Sequence, residues 1–355
     1  MIVSTCSFGS SGSSAVSDYL AECDNTYVFD KLEFSIVTEC DGIEDLEYHL
    51  MMRNSRQSGS INAIQRFNKK VNSHLKGWNR RSGISKEYVR QITNEYINSL
   101  TQVRYKSFSP RIDKPHSHFL QKYVGNSLIR QRIIYGLEKR KILTHNLDFY
   151  PLDYVNLSIK PKNFYDATKT YLKKLLTGMG CDFSKDIVVL DQAFSGNDPA
   201  KSFPFFDDVK AVVVDRDPRD MYIFAKKVLL SKGRFMPTDT VENYIAYYRA
   251  LRDGQPYKEN NPLILSLKFE DMVYNYEETV DRIDKFLGIQ NSHRRTIFIP
   301  EMSAANTCLI RKFPEFADDV KKIEEELPEY LFDFEKYEMI ESNNGMFFGK
   351  SLNRK

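Results

Sequence analysis

Residues 4–20 read STCSFGSSGSSAVSDYL, a strand end followed by a glycine- and serine-rich turn and then a helix. Gly9 and Gly12 allow the backbone to turn tightly and to approach a ligand. Ser10, Ser11, Ser13 and Ser14 offer hydroxyls, and their N–H groups can converge on an anion at the positive end of the helix. The stretch suits a phosphate or sulfate group. A plain serine-rich helix cap is the alternative. It is not a Walker A loop, which needs G-x-x-x-x-G-K-[ST]. Gly9 and Gly12 are too close and no lysine follows, so a nucleoside triphosphate with magnesium lacks its usual partners. That argues against a kinase of the P-loop type.

Outward from this loop, four apolar runs read as buried parallel strands: Ile2–Thr5, Asp186–Leu190, Val209–Val214 and Leu263–Leu267. Three of them enter helical patterns through short turns, as βα units do. NYEETVDRIDKFLGI is the clearest helix, with Asn275 and Glu278 spaced as a capping box, Val280, Ile283 and Leu287 on one face, and Gly288 as its stop. INAIQRFNKKVNSHL and KEYVRQITNEYINSL have helical spacing, with the turn signal NRRSG between them. The division expected is an α/β core part over 1–50, a mostly helical basic insertion over 51–160, the rest of the core over 161–340, and a loose tail over 341–355.

Hydrophobic residues make up 41% of the 355-residue chain, enough for a core and against disorder. No run approaches the roughly 18 apolar residues of a membrane span, and the N-terminus lacks a signal-peptide layout. The five cysteines, Cys6, Cys23, Cys40, Cys181 and Cys308, show no metal-ligand spacing. They read as reduced thiols of a cytoplasmic protein. The net charge of +3 conceals an asymmetry: residues 51–143 hold 20 Lys/Arg against four acidic residues. Such a segment repels itself. It faces an anionic ligand or an acidic part of the same protein.

VKAVVVDRDPRDMYIFAKK is the second informative stretch. An apolar strand delivers Asp215-Arg216-Asp217, and Pro218 opens a helix at its favoured first position. Arg216 then sits at the carboxyl end of a parallel strand, where open α/β sheets bind ligands. Arg216 and Arg219 can make forked bonds to phosphate, or pair with Asp217 and Asp220 in a structural turn.

Together these pieces resemble the PAPS-dependent sulfotransferases. Ser11-Gly12-Ser13-Ser14 is similar to the S-G-T-T of that family's 5′-phosphosulfate loop, and Arg216-Asp217-Pro218-Arg219-Asp220 matches its R-[ND]-P-[RK]-D motif. LKFEDMVYNYEETVDRIDKFLGI resembles the family's yEDL…FLGi segment. FIPEMSAANTCLIRKF resembles its downstream donor-contacting loop. The order and spacing agree at both ends of the chain, while residues 51–160 lie outside the resemblance. It implies a P-loop-like α/β sheet flanked by helices, PAPS as donor with PAP as product, and no metal. It implies a donor site of Ser10, Ser11, Gly12, Ser13, Ser14 and Arg216, with Arg311 and Lys312 as basic contacts. Two positions depart from the pattern: the family's loop lysine falls on Ser10 and its 3′-phosphate serine on Phe224.

Sulfuryl transfer needs a general base for the acceptor hydroxyl. Glu33, just after the Tyr27–Phe29 run, occupies the family's base position and is the first choice. Asp30 and Asp41 are neighbours that could replace it, with His116 and His118 ranking after them. Asp191 and Gln192, at the end of a strand, could line the acceptor pocket. The basic segment and the many tyrosines point to an anionic or sugar-containing acceptor, a glycan or glycan precursor, with a small hydroxylated molecule such as a phenol or sterol as the alternative. No specific nucleic-acid motif is present. Two other classes remain open. Asp215 and Asp217 form a D-x-D that could hold Mn²⁺ and a nucleotide-sugar in a glycosyltransferase. The basic helices could also serve a non-enzymatic polyanion binder.

Overall fold

The computed structural model describes residues 1–54, 56–107, 153–229, 235–253 and 261–340, with Gly136 and Lys139 as isolated helical positions. His116, His118 and the tail 341–355 lie outside the described residues. The chain opens with β1 (Ile2–Ser7), α1 (Ser13–Leu20) and β2 (Thr26–Phe29). The short α2 (Ile43–Glu47), the long α3 (Gln57–Ser82) and α4 (Lys86–Leu100) follow. β3 (Val103–Ser107) and β4 (Asp153–Leu157) pair antiparallel. The chain then passes through α5 (Phe164–Gly178), β5 (Ile187–Asp191), β6 (Val209–Asp215), α6 (Pro218–Phe224), α7 (Val241–Arg252) and β7 (Ile264–Lys268). α8 (Phe269–Tyr274), α9 (Tyr276–Leu287), α10 (Pro300–Ser303) and α11 (Ala317–Glu326) complete it.

Five strands form one sheet in the order β2-β5-β1-β6-β7, and every pairing in it is parallel. This is an α/β architecture with helices on both faces. The alternation of each strand makes that sandwich possible. In β6, Val209, Ala211 and Val213 enter the core on one face, while Val212 and Val214 enter the core on the other. α1, α8 and α9 cover the second face through Val16, Tyr19, Met272, Val280 and Ile283. β1 lies between β5 and β6, which the chain reaches much later. The rim at the carboxyl ends of these three strands is where such sheets leave a crevice.

The basic segment does not form a body of its own in the described part. Ile64, Phe67, Val71, Leu75 and Trp78 of α3, with Tyr96 of α4, join the same core as Phe29, Leu190 and Val213 of the sheet. Part of its charge is neutralised internally. Arg66 bonds Asp41 at 2.8 Å, while His74 and Lys70 reach Glu39 at 2.6 and 3.5 Å. The β3–β4 pair is a feature that the helical reading of this segment does not anticipate.

The capping box expected at α9 is not formed. Asn275 is shared by the end of α8 and the start of α9, with φ −128° and ψ 46°. In that geometry its side-chain amide donates to the Glu278 carboxylate at 2.9 Å instead of its oxygen capping the helix. Gly288 ends α9 in the left-handed conformation, as expected. Among the described residues no helix is long and apolar enough to cross a membrane. All five cysteines are free thiols.

Candidate functional site

The loop after β1 takes its shape from three successive departures into the left-handed region: Gly9 at φ 78°, Ser10 at 56° and Gly12 at 93°. Gly12 is obligatory for two reasons, since its φ strains any other residue and an added Cβ would lie 2.4 Å from the Phe269 ring. Ser11 is buried inside the loop. Its hydroxyl donates to the Val214 carbonyl at 2.6 Å and accepts from the Phe8 N–H at 3.1 Å, which fastens the loop to β6. Gly12 caps α1 without a side chain, so the first-turn amides beside Ser13 and Ser14 carry no side-chain cap.

Arg216 stands at the end of β6 and is 3% exposed. Its Nη1 donates to the Ser10 carbonyl at 3.2 Å, and its Nη2 donates to the Asn306 carbonyl. Its guanidinium lies over the rings of Phe224 and Phe269 at 4.6 and 5.1 Å. The Nε is buried and has no hydrogen-bond partner. A buried charged donor left unpaired is costly, and a ligand atom that accepts from it removes that cost.

The remainder of the Asp-Arg-Asp-Pro-Arg-Asp stretch is structural. Asp215 accepts from Arg252 Nε at 3.0 and 3.1 Å and from its Nη2 at 2.5 Å. The Arg252 guanidinium stacks in turn on Tyr248 and Phe8. Asp217 caps α6 and holds Arg219 through both carboxylate oxygens, at 2.9 and 2.6 Å. Asp220 accepts from the Cys308 and Leu309 N–H groups, both at 2.7 Å. Glu270 accepts from the Asp217 N–H at 3.0 Å. Burial, reinforced by Asp217 and Asp220, pushes the Glu270 carboxyl well above the usual carboxylate range. Burial and Asp217 push Asp220 up as well.

The loop, α1 and Arg216 open on a cavity of about 890 Å³. Ser10, Gly12, Ser13, Ser14, Arg216 and Glu33 all line it. Ser11, Arg311 and Lys312 do not. Ser11 is spent within the loop, and Lys312 donates to the Ala305 carbonyl at 2.7 Å. Arg311 is exposed beyond the wall. Asp191 and Gln192 line the cavity too, and Gln192 donates to Ser13 Oγ at 2.9 Å. A backbone bond from Phe34 N–H to the Asp191 carbonyl at 2.9 Å brings the loop carrying Glu33 beside β5. Asp30 and Asp41 lie outside the lining, and Asp41 is held by Arg66.

Several lining residues escape the sequence reading. Glu44, Ser195, Asn197, Asp198 and Lys201 form one wall. Gly196 presses so closely on the exit of β1 that a Cβ there would meet the Ser7 carbonyl oxygen at 2.5 Å. Thr296 to Ile299 form another wall, held from behind by the buried Glu22. One oxygen of Glu22 accepts from the N–H groups of Thr296, Ile297 and Phe298 at 3.2, 2.6 and 2.6 Å. No local pattern marks Glu22, because its partners lie more than 270 positions away. Phe224, which stands where the family resemblance expects a serine, lines the cavity with Phe269, and both rings lie against Arg216.

Comparison of the chain with protein-family models, with curated proteins and with solved structures yields no match.

Proposed function

We propose that this protein is a sulfotransferase with a P-loop-like core that moves a sulfuryl group from PAPS to an acceptor hydroxyl. One observation carries the reading: Arg216 bonds the Ser10 carbonyl. The two stretches that resemble the donor motifs of that family therefore meet in one cavity, though they lie 206 positions apart. The uncapped N-terminus of α1 suits the 5′-phosphosulfate. Arg216, with its unpaired Nε, suits the 3′-phosphate.

Glu33 is the proposed base. Its carboxylate accepts the acceptor's proton as the acceptor oxygen bonds to sulfur. The bond from sulfur to the 5′-phosphate oxygen breaks, its electron pair stays on phosphate, and PAP leaves. In-line placement and fixed donors supply the rate. Lys201 and Arg216 are the cationic side chains among the described lining residues. Among the described residues, positive charge at the leaving oxygen can come from them or from the amides of the Ser10–Ser14 loop.

A nucleotide-sugar glycosyltransferase has less support. Asp215 and Asp217 do not line the cavity, and each is already bound by an arginine. A pure polyanion binder does not account for the cavity.

Thermal shift with PAP, ADP, ATP–Mg²⁺ and UDP-sugar–Mn²⁺ side by side tests the reading. Selective stabilisation by PAP that disappears in Arg216→Ala is expected. Stabilisation by UDP-sugar with Mn²⁺, and none by PAP, would overturn it. Glu33→Gln should keep the PAP shift and lose about 10²-fold or more in transfer rate.

A further inference from the structure

Gln192 follows the last residue of β5 with φ 54°, a left-handed backbone that is uncommon for a residue other than glycine. Non-glycine residues held this way gather at functional sites, where the surrounding structure over-determines them. Here the bonds that hold it are explicit. The Gln192 N–H donates to the Thr5 carbonyl at 3.0 Å. In the side chain, Oε1 accepts from the Ser7 N–H at 3.2 Å, while Nε2 donates to Ser7 Oγ and, at 2.9 Å, to Ser13 Oγ. Ser7 ends β1 and Ser13 begins α1. One amide, carried by the neighbouring strand, therefore bridges the two ends of the glycine-serine loop. Ser7, Ser13 and Gln192 all line the cavity.

We propose that Gln192 is a positioning residue for the 5′-phosphosulfate, which it serves by turning the Ser7 and Ser13 hydroxyls into hydrogen-bond donors toward that group. The proposal rests on the sulfotransferase reading and adds a residue to its donor site. A backbone N–H can only donate, so the amide oxygen of Gln192 must face the Ser7 N–H. That fixes the amide, and its NH₂ group then faces both hydroxyls. An NH₂ group donates and does not accept, so each serine meets it with an oxygen lone pair. Each hydroxyl proton is turned away from the amide, and among the described residues neither proton has an acceptor. The oxygens of an ionised phosphosulfate only accept, and they receive both protons. A ligand group that must itself donate meets two protons pointing at it. The loop lacks the lysine of the family it resembles, and this device supplies fixed dipoles in place of a charge. The sequence reading set Gln192 beside the acceptor, whereas its polar atoms are committed to the donor loop.

Calorimetric titration of the full-length protein with PAP and with adenosine 3′-phosphate, which lacks the 5′-phosphate, tests the proposal. Gln192→Gly suits the left-handed backbone and removes the amide. It should weaken PAP about tenfold or more, leave adenosine 3′-phosphate almost unchanged, and keep the melting temperature close to that of the unaltered protein. Gln192→Glu keeps an oxygen for the Ser7 N–H but sets a second acceptor against the hydroxyls, which draws their protons away from the ligand. Its PAP deficit should be larger. The deficit should also narrow as pH falls from about 7 to about 5, because a protonated carboxyl can donate as the amide does. Equal weakening of both ligands, or a Gln192→Glu deficit that ignores pH, would make Gln192 a support of the fold and overturn the proposal. Unchanged PAP affinity in both variants would also overturn it and leave the donor reading standing. If the unaltered protein binds no PAP, both fall.

Discussion

The lining around Arg216 and the lining that carries Glu33, Glu44, Asp191 and Asp198 are built on different plans. The first joins two short patterns that lie 206 positions apart, a loop of five residues with its helix start and one strand end. The second is assembled from segments 33–44 and 191–198, and of its acids only Glu33 stands at a position that the family resemblance marks. The lesson concerns charge. Composition alone points to an anionic acceptor, because the basic segment is so large. The fold directs Arg66, Lys70 and His74 of that segment toward Glu39 and Asp41 and places acids in the cavity.

The largest expected effect separates structural from ligand-facing parts of one motif. Asp215→Asn breaks the pair with the fully buried side chain of Arg252. It should cost about 3–5 kcal/mol in urea unfolding without creating or abolishing any Mn²⁺ response. A specific loss of Mn²⁺ stabilisation instead would revive the D-x-D reading. Arg216→Ala should weaken PAP about 10²-fold by calorimetry, with a smaller loss of stability. An unchanged PAP affinity would break the contrast between the two parts of the lining.

Gly12→Ala should destabilise the fold by about 1–3 kcal/mol, measured by chemical denaturation, because both its φ and the Phe269 ring oppose a Cβ. A neutral result would mean that the loop is not held as described. The smallest effect concerns pH. Glu270 and Asp220 titrate higher in the folded protein than in the unfolded chain. Between the ordinary carboxylate range and those raised values the unfolded chain binds fewer protons, so stability should fall as pH rises from about 4.5 toward 8. Glu270→Gln should flatten that slope in a series of melting temperatures against pH. A slope that stays the same would assign it to other groups.

Much of the sheet was legible because its strands are short apolar runs bounded by turns. The observed β1, β5, β6 and β7 overlap the expected runs and extend at most two residues beyond them. α4 coincides with KEYVRQITNEYINSL, whose apolar spacing and Ser85 cap are both local. The β3–β4 pair was not legible, since each strand needs a partner about 50 positions away to be a strand at all. The failed capping box at Asn275 has a similar cause. The spacing is right, but α8 ends on the same residue and dictates its backbone.

By itself the sequence determined an α/β chain, a glycine-serine loop before a helix, and an arginine delivered by a strand into a helix start. These depend on neighbours a few residues apart, through periodicity, glycine conformation and proline placement. Only the tertiary structure decided that the loop and Arg216 share one cavity. It also separated the roles of Ser11 and Arg219, used in holding the fold, from those of Ser13, Ser14 and Arg216, which face the cavity. It alone brought Glu44, Asp198 and Lys201 to the cavity wall and set Glu22 behind another. Those outcomes depend on which strand ends lie side by side. The order β2-β5-β1-β6-β7 fixes that through contacts between residues hundreds of positions apart.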